Sequence, residues 1–245
     1  MKNITTILIM LISCAIWAQQ KTISVDHFDK VIVSPHIQAT FVQGDKEQIQ
    51  IENSTVSLNK VNIEVKGKTL RVYLDNAKEI TKNEKVKVNG YKRSKSIYKG
   101  TVLIATITYK SLKELSLRGE EKFVFESPLK TDDFRLKIYG ESQVYFQQVE
   151  LDEMQASIYG ESFLEIKSGR INTQKFTAYG ETKINALGVK NKYTKIVAYG
   201  EGSYRVNVSN RLKVTAYGEA TIAYKGSPEV DKGIVIGEAT IQRID

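Results

Sequence analysis

Seven Gly-Glu steps recur at a nearly constant spacing along the second half of the 245-residue sequence. A tyrosine precedes five of the seven glycines. A fixed period of about 20 residues is typical of repeat architectures, in which each repeat buries its apolar face against its neighbours. The glycines are Gly119, Gly140, Gly160, Gly180, Gly200, Gly218 and Gly237.

Side chains alternate in character around each glycine, which predicts strands. The positions two before and four after a glycine are apolar, as Ile158 and Leu164 are around Gly160, and the odd positions are mixed or polar. A period of two residues is typical of a half-buried strand. Two strands and two corners in about 20 residues match one solenoid coil. The sequence therefore predicts an all-β, single-domain β-solenoid, or β-helix-like fold, with one coil per glycine-centred repeat.

A meandering antiparallel sandwich is the alternative architecture. It would show turn signals about every 8–12 residues. Those signals are less regular in this chain than the spacing of the Gly-Glu steps. The chain also has only three prolines, which suits long uninterrupted ladders.

The first half of the chain lacks the repeat and is expected to form an atypical N-terminal β cap. Alternating segments within residues 26–75 predict strands, and Gly67-Lys68 predicts a hairpin turn between two of them. Residues 76–100 are rich in lysine and poorly periodic, so we expect an exposed loop there. Residues 101–245 hold the glycine-centred repeats, and residues 19–245 are expected to form one domain.

The N-terminus has the pattern of a secretory signal peptide, which we assign to residues 1–18. A short apolar run follows Lys2, and it is too short to span a bilayer, which needs about 20 residues. Cleavage after Ala18 would remove the one cysteine of the chain. The alternative is lipidation of Cys14, which ends a lipobox-like Leu-Ile-Ser-Cys sequence. We therefore expect an exported protein of the periplasm or outer cell surface.

The charge balance is basic, with a net charge of +8 and a sequence pI near 9.3. Such a balance is compatible with nucleic acid or with an anionic surface. Export disfavours nucleic acid, and the lysines are spread along the chain. No later segment is apolar enough to be a transmembrane segment. The expected partners are an envelope glycan or another surface protein, and the oligomeric state stays open.

Two columns of side chains are the candidate binding residues, because equivalent positions of stacked coils line up on the outer face. The tyrosines serve as a stacking platform for sugars, as a ladder that stabilises the sheet, or as both. The glutamates form a parallel column of negative charge, and whether it binds cations is open. The members are Tyr139, Tyr159, Tyr179, Tyr199, Tyr217, Glu141, Glu161, Glu181, Glu201 and Glu219.

No catalytic, metal or cofactor site is predicted. The two histidines, His27 and His36, lack further ligands at a spacing that a zinc site would need. A carbohydrate-active solenoid enzyme, a polysaccharide lyase or hydrolase, is the alternative function, since such enzymes use carboxylates on solenoid faces. Here the glutamates repeat in every coil, whereas a catalytic site needs carboxylates in distinct environments.

The layout of the chain resembles that of the auto-transporter adhesin head domain family, also called the GIN domain. The resemblance rests on the opening strand at residues 28–33, the Gln-Gly step at residues 43–46 and the Gly-x-x-Leu-x-Val strand at residues 67–72. The glycine-centred repeats and a closing segment at residues 224–228 complete it. The Tyr-Gly-Glu steps depart from the Gly-Ser-Gly steps usual in the family. The resemblance implies a β-solenoid in an envelope or surface protein that binds, adheres or scaffolds.

Overall fold

The computed structural model describes residues 21–88 and 91–245. The predicted signal peptide, with Cys14 and Ala18, lies outside the described residues. Strands dominate, and one short 3-10 helix spans Leu58–Lys60. The strands are β1 (Lys21–Ser24), β2 (Lys30–Val33), β3 (Ile37–Gln43), β4 (Gln48–Ser54), β5 (Val61–Lys66), β6 (Thr69–Leu74), β7 (Asn83–Val88), β8 (Tyr91–Ser96), β9 (Leu103–Tyr109), β10 (Glu114–Gly119), β11 (Lys122–Phe125), β12 (Leu129–Gly140), β13 (Gln143–Phe146), β14 (Val149–Tyr159), β15 (Ser162–Ile166), β16 (Gly169–Tyr179), β17 (Thr182–Lys225) and β18 (Glu229–Arg243).

The repeats stack as parallel coils, which confirms the predicted β-solenoid. A long strand and a short strand make one coil, and each pairs in parallel with the equivalent strand of the next coil, as β12 does with β14 and β13 with β15. Asp132 and Asp152 are the one pair of equivalent residues in the middle of β12 and β14 that is not paired in the ladder. That skipped position divides each long strand into two ladder segments, so a coil has three segments in all.

The interior is filled by columns of apolar side chains that come from the even positions of the repeat. Leu117, Ile138 and Ile158 follow one another in register and are fully buried. The rings of Phe41, Phe125 and Phe146 stack with centroid distances of 4.4 and 4.2 Å. Aromatic pairs of this kind add about 0.5–1.5 kcal/mol to the free energy gained from burial alone.

The repeated glycines form the corner between the long and short strands. Gly140 has a φ of 114°, a region that side chains rarely adopt, and a Cβ on it would lie 2.3 Å from the carbonyl oxygen of Gly119. That distance is far below van der Waals contact, so the stacked corners can approach only without side chains. The hydroxyl Oγ of Ser142 donates a hydrogen bond to the same Gly119 oxygen, at 2.9 Å.

The first coil of the chain lies inside the stack rather than at its end. Strands β2 and β3 pair with β10 and β11 on one side and with β6 and β9 on the other. The end of the stack is covered by antiparallel strands, because β5 pairs with β6, and β4 pairs with β9 and β1. Residues 26–75 therefore contribute both a coil and part of the covering strands.

Two hairpins lie in this first half. Gly67 and Lys68 have φ angles of 53° and 61° and connect the antiparallel strands β5 and β6, the backbone of a type I′ turn, as the Gly-Lys step predicts. In the lysine-rich segment 76–100, β7 and β8 pair as a separate two-stranded sheet. This segment returns to the stack through His36, whose imidazole contacts the carbonyl oxygen of Gly100 at 2.7 Å.

Candidate ligand-binding surfaces

The five tyrosines form one continuous ladder along the stack. Successive ring centroids are 4.7–5.0 Å apart and the ring planes differ by no more than 5°. The spacing matches the distance between paired strands, because successive tyrosines from Tyr139 to Tyr199 are register partners. The middle three rings are 37–39% exposed; these are Tyr159, Tyr179 and Tyr199.

Ring faces in the ladder are occupied by protein. Each middle ring stacks on a neighbour on both sides, Arg118 lies over Tyr139 at 5.1 Å from the centroid, and Ile236 is the register partner of Tyr217. A sugar ring stacks on an aromatic face, and the faces inside this column are already packed. The solvent-facing part of the ladder is therefore its ring edges with their phenolic hydroxyls.

The glutamate column follows the tyrosine ladder at the glycine corner. All five carboxylates are exposed, and Glu219 is in register with Glu238 of the last strand. None of the ion pairs found within residues 21–88 and 91–245 includes one of these five glutamates. In the same part of the chain, no group of three or more His, Cys, Asp or Glu side chains is arranged to hold a metal ion.

One carboxylate at this corner is buried. Glu121 occupies the position that Ser142 and Ser162 hold in the next coils, and it is 5% exposed. Burial raises the pKa of Glu121, while a hydrogen bond from the backbone N–H of Glu120 and the charge of His36 oppose the rise.

The two histidines have structural partners. His27 Nδ1 lies 2.8 Å from the buried carboxylate of Glu47. His36 Nε2 lies 2.6 Å from the hydroxyl of Thr81. Both contacts tie the loops of the first coil to loop residues that directly precede or lie near the next strands, β4 and β7.

A groove on another face of the coils was not anticipated from the sequence. It has a volume of about 1480 Å³ and runs along the start of the long strands, across several coils. At one end Lys130 forms an ion pair of 3.2 Å with Glu150. In the next two coils, Arg170, Lys190 and Lys192 are exposed and take part in no ion pair found in the described residues, and Arg170 is in register with Glu150. The lining residues are Lys130, Thr131, Asp132, Glu150, Leu151, Asp152, Gly169, Arg170, Ile171, Asn172, Gly188, Lys190, Asn191, Lys192, Asn207 and Ser209.

A buried polar cluster adjoins the groove at Asn191. The amide Nε2 of Gln174 donates to the hydroxyl of Thr194 at 3.0 Å, and that hydroxyl donates to Oδ1 of Asn191 at 2.9 Å. Asn191 is 5% exposed, and its Nδ2 has no hydrogen-bond partner among the described residues. An unpaired buried donor costs about 1–3 kcal/mol.

The sequence does carry a signal for this cluster. Asn191 is in register with the apolar Ile171, and Thr194 and Gln174 are in register with each other and with Met154. Polar residues at interior positions of an otherwise apolar column are the sequence feature that marks this cluster.

Comparison with known proteins places the chain in a family. Residues 27–228 match the family described as "putative auto-transporter adhesin, head GIN domain". The chain belongs to this family. No curated protein matches it.

Solved structures share the GIN-domain fold. A putative adhesin from Bacteroides fragilis is 20% identical, with a TM-score of 0.75 over 92% of this chain and 96% of that one. A putative adhesin from Parabacteroides merdae is 22% identical, with a TM-score of 0.65 over 92% and 95%. A putative lipid binding protein from Parabacteroides distasonis is 19% identical, with a TM-score of 0.65 over 93% and 96%. At these identities the likeness shows the fold alone.

The part of this GIN-domain chain that the structure describes contains no helix with the length and apolar character needed to span a membrane.

Proposed function

We propose that this GIN-domain protein is an exported, non-enzymatic surface module that binds an extended anionic envelope glycan in the groove. The signal-like residues 1–18, the adhesin name of the family and the basic net charge of +8 support this role. The tyrosine and glutamate columns form a second, regular face beside the glycine corner, which serves as a scaffold surface in this proposal.

The observation that carries the proposal is a set of three cations without ion pairs among the described residues, in two adjacent coils of the groove, of which only Arg170 has a carboxylate, Glu150, as a register partner. Arg170 and Lys190 are register partners in adjacent coils, so their backbones are about 4.8 Å apart. Two positive charges at that distance repel each other, and an anion bound beside both would offset that repulsion. A linear chain of uronate or similar acidic sugars that follows the stacking axis would place carboxylates along this row.

Neutral groups in the same place suit the rest of a sugar. Asn172, Asn207 and Ser209 line the groove beside the cations, and amides and hydroxyls can both donate to and accept from sugar hydroxyls. A groove lined by amides, hydroxyls and charged side chains favours a polar ligand over an apolar lipid tail.

The test is affinity electrophoresis and calorimetry with polygalacturonate as the acidic probe, dextran as the neutral probe and phosphatidylglycerol vesicles as the lipid probe. We expect retention by polygalacturonate alone. The triple variant R170A/K190A/K192A should lose at least tenfold in affinity. A charge-matched triple variant in the hairpin, K85A/K87A/K92A, removes the same charge from exposed positions and should lose less than threefold. Equal losses in both variants, or binding to vesicles alone, would overturn the proposal.

A carbohydrate-active enzyme is the alternative, and one observation favours testing it. Asp132 and Asp152 hold equivalent positions in adjacent coils and both line the groove. Retaining glycosidases use two carboxyl groups about 5–5.5 Å apart. Release of reducing ends or unsaturated products from polygalacturonate, lost in a D132N/D152N variant, would establish the enzyme and exclude the purely binding module.

A further inference from the structure

The two ends of the solenoid differ in whether further strands cover the last coil. At the N-terminal end, the antiparallel strands β1, β4 and β5 cover the parallel stack. At the other end, β18 pairs with β17 and, in the part of the chain that the structure describes, with no other strand. The outer edge of β18 therefore presents unpaired backbone N–H and C=O groups, a template for pairing with another chain.

Large apolar side chains are exposed at this edge. Ile234 and Ile236 are 59% and 62% exposed, and Val235 between them is 38% exposed. Val235 is in register with Ala216, which is fully buried. Val235 thus continues an interior column to the end of the stack, where no further coil covers it in the described residues. Three adjacent apolar residues on an exposed strand edge are typical of an interaction site.

The sequence around Val235 identifies the partner. Residues 232–238 read Lys-Gly-Ile-Val-Ile-Gly-Glu, which is symmetric about Val235 except that opposite charges stand at its two ends. When such a segment pairs antiparallel with a copy of itself about Val235, isoleucine faces isoleucine and glycine faces glycine. Lys232 of each copy then comes near Glu238 of the other at the ends of the paired segment. Both charged side chains are exposed and belong to no ion pair found in the described residues.

We infer that a second copy of this chain docks on β18, antiparallel and centred on Val235, to give a two-fold symmetric dimer joined at the C-terminal ends of the solenoids. The arrangement is isologous, so each contact occurs twice. It would cover the exposed isoleucines, extend the ladder across the interface and form two Lys232–Glu238 pairs. Opposite charges directly across an antiparallel ladder stabilise pairing, and like charges oppose it.

The local backbone limits how far the pairing extends. The register with β17 shifts between Lys232 and Val235, and Gly237 has a φ of 108° at the last corner. The bulge precedes residues 234–236 and the corner follows them, so the regular part of the strand edge is limited to these three residues. The contact should therefore depend on the side chains of residues 232–238 rather than on a long run of backbone hydrogen bonds.

Charge reversal tests this register directly. Sedimentation equilibrium of the purified protein should give a dimer, twice the mass of a chain whose full sequence is 27.7 kDa. K232E and E238K each set like charges against one another and should weaken the dimer at least tenfold. The double variant K232E/E238K restores opposite charges and should recover wild-type affinity within threefold. Mixing the two single variants should likewise give a heterodimer, because each supplies the charge that the other needs.

Controls separate assembly from folding. All these positions are exposed, so circular dichroism and thermal melts should match the wild type, and a distant reversal, K195E, should leave the dimer intact. A monomeric wild type at the highest concentration would overturn the inference. So would a double variant or a mixture that stays as weak as the single variants, or growth into larger assemblies. Glycan binding by the groove is measured in a separate experiment. A failure of the dimer proposal can therefore be distinguished from a failure of the glycan-binding proposal.

Discussion

At the scale of single residues, the second position after the repeated glycine accommodates either a serine or a glutamate. In the coils after the first glycine, Ser142 and Ser162 donate hydrogen bonds to the carbonyl oxygens of Gly119 and Gly140. Glu121 holds the equivalent place at the start of the column and accepts a hydrogen bond from the N–H of Glu120 at 2.9 Å. A carboxylate that is buried here loses hydration, which hydrogen bonds from the backbone replace only in part.

Glu121 should make stability depend on pH. Because burial raises its pKa in the folded protein above the unfolded value, its favourable contribution is complete below the unfolded pKa and is lost as pH rises through the folded pKa. E121Q should therefore flatten the fall in melting temperature between about pH 4.5 and pH 7 and raise the melting temperature at pH 7. The exposed neighbour provides the control, since E120Q should leave the pH profile unchanged. Parallel profiles for E121Q and wild type would refute this assignment.

At the scale of elements, the period-two pattern predicted the strands of the repeats and their stacking, because an in-register repeat pairs each residue with its own equivalent. Tyr159 and Tyr179 meet for that reason alone. The order of the first coils was not predictable in this way. Strand β2 pairs with β10, which lies far along the chain beyond the whole N-terminal cap and the lysine-rich hairpin, and neither strand has a sequence feature that identifies the other. A pairing that distant is decided by the packing of the whole stack.

The tyrosine ladder should act mainly on stability. Tyr179 stacks on two rings, with centroids 4.8 and 4.7 Å away, and each aromatic pair contributes about 0.5–1.5 kcal/mol. Y179L should thus lower the free energy of unfolding by about 1–3 kcal/mol. Y193L removes a similarly exposed tyrosine, 44% against 38%, which has no ring contact in the described residues, and should cost under about 1 kcal/mol. Denaturant melts would compare them, and equal losses would mean that ring stacking contributes little.

At the scale of the whole molecule, the groove is formed by residues that are far apart in the sequence and meet only in the folded stack. Arg170, Lys190 and Lys192 come from two coils, and each is one of 36 basic residues spread along the chain. Only the register of the coils brings them to one surface. The repeating columns were predictable because every coil contributes the same residue. The groove was not, since it depends on residues that differ from coil to coil.

Coils that contact only their neighbours should also unfold unevenly. Phe176 is fully buried in the middle of the stack, whereas Ile241 lies in β18 and is only partly buried. F176A leaves a cavity bounded by coils on both sides and should cost about 3–5 kcal/mol, lowering the global melting temperature and speeding amide exchange across β14, β16 and β17. I241A affects an end coil with one neighbour, so faster exchange should be confined to β18 and the adjoining part of β17, while the melting temperature changes little. Hydrogen exchange read by mass spectrometry distinguishes the two patterns. If both variants sped exchange evenly through every coil, the solenoid would be a single cooperative unit, and its ends would be no easier to open than its middle.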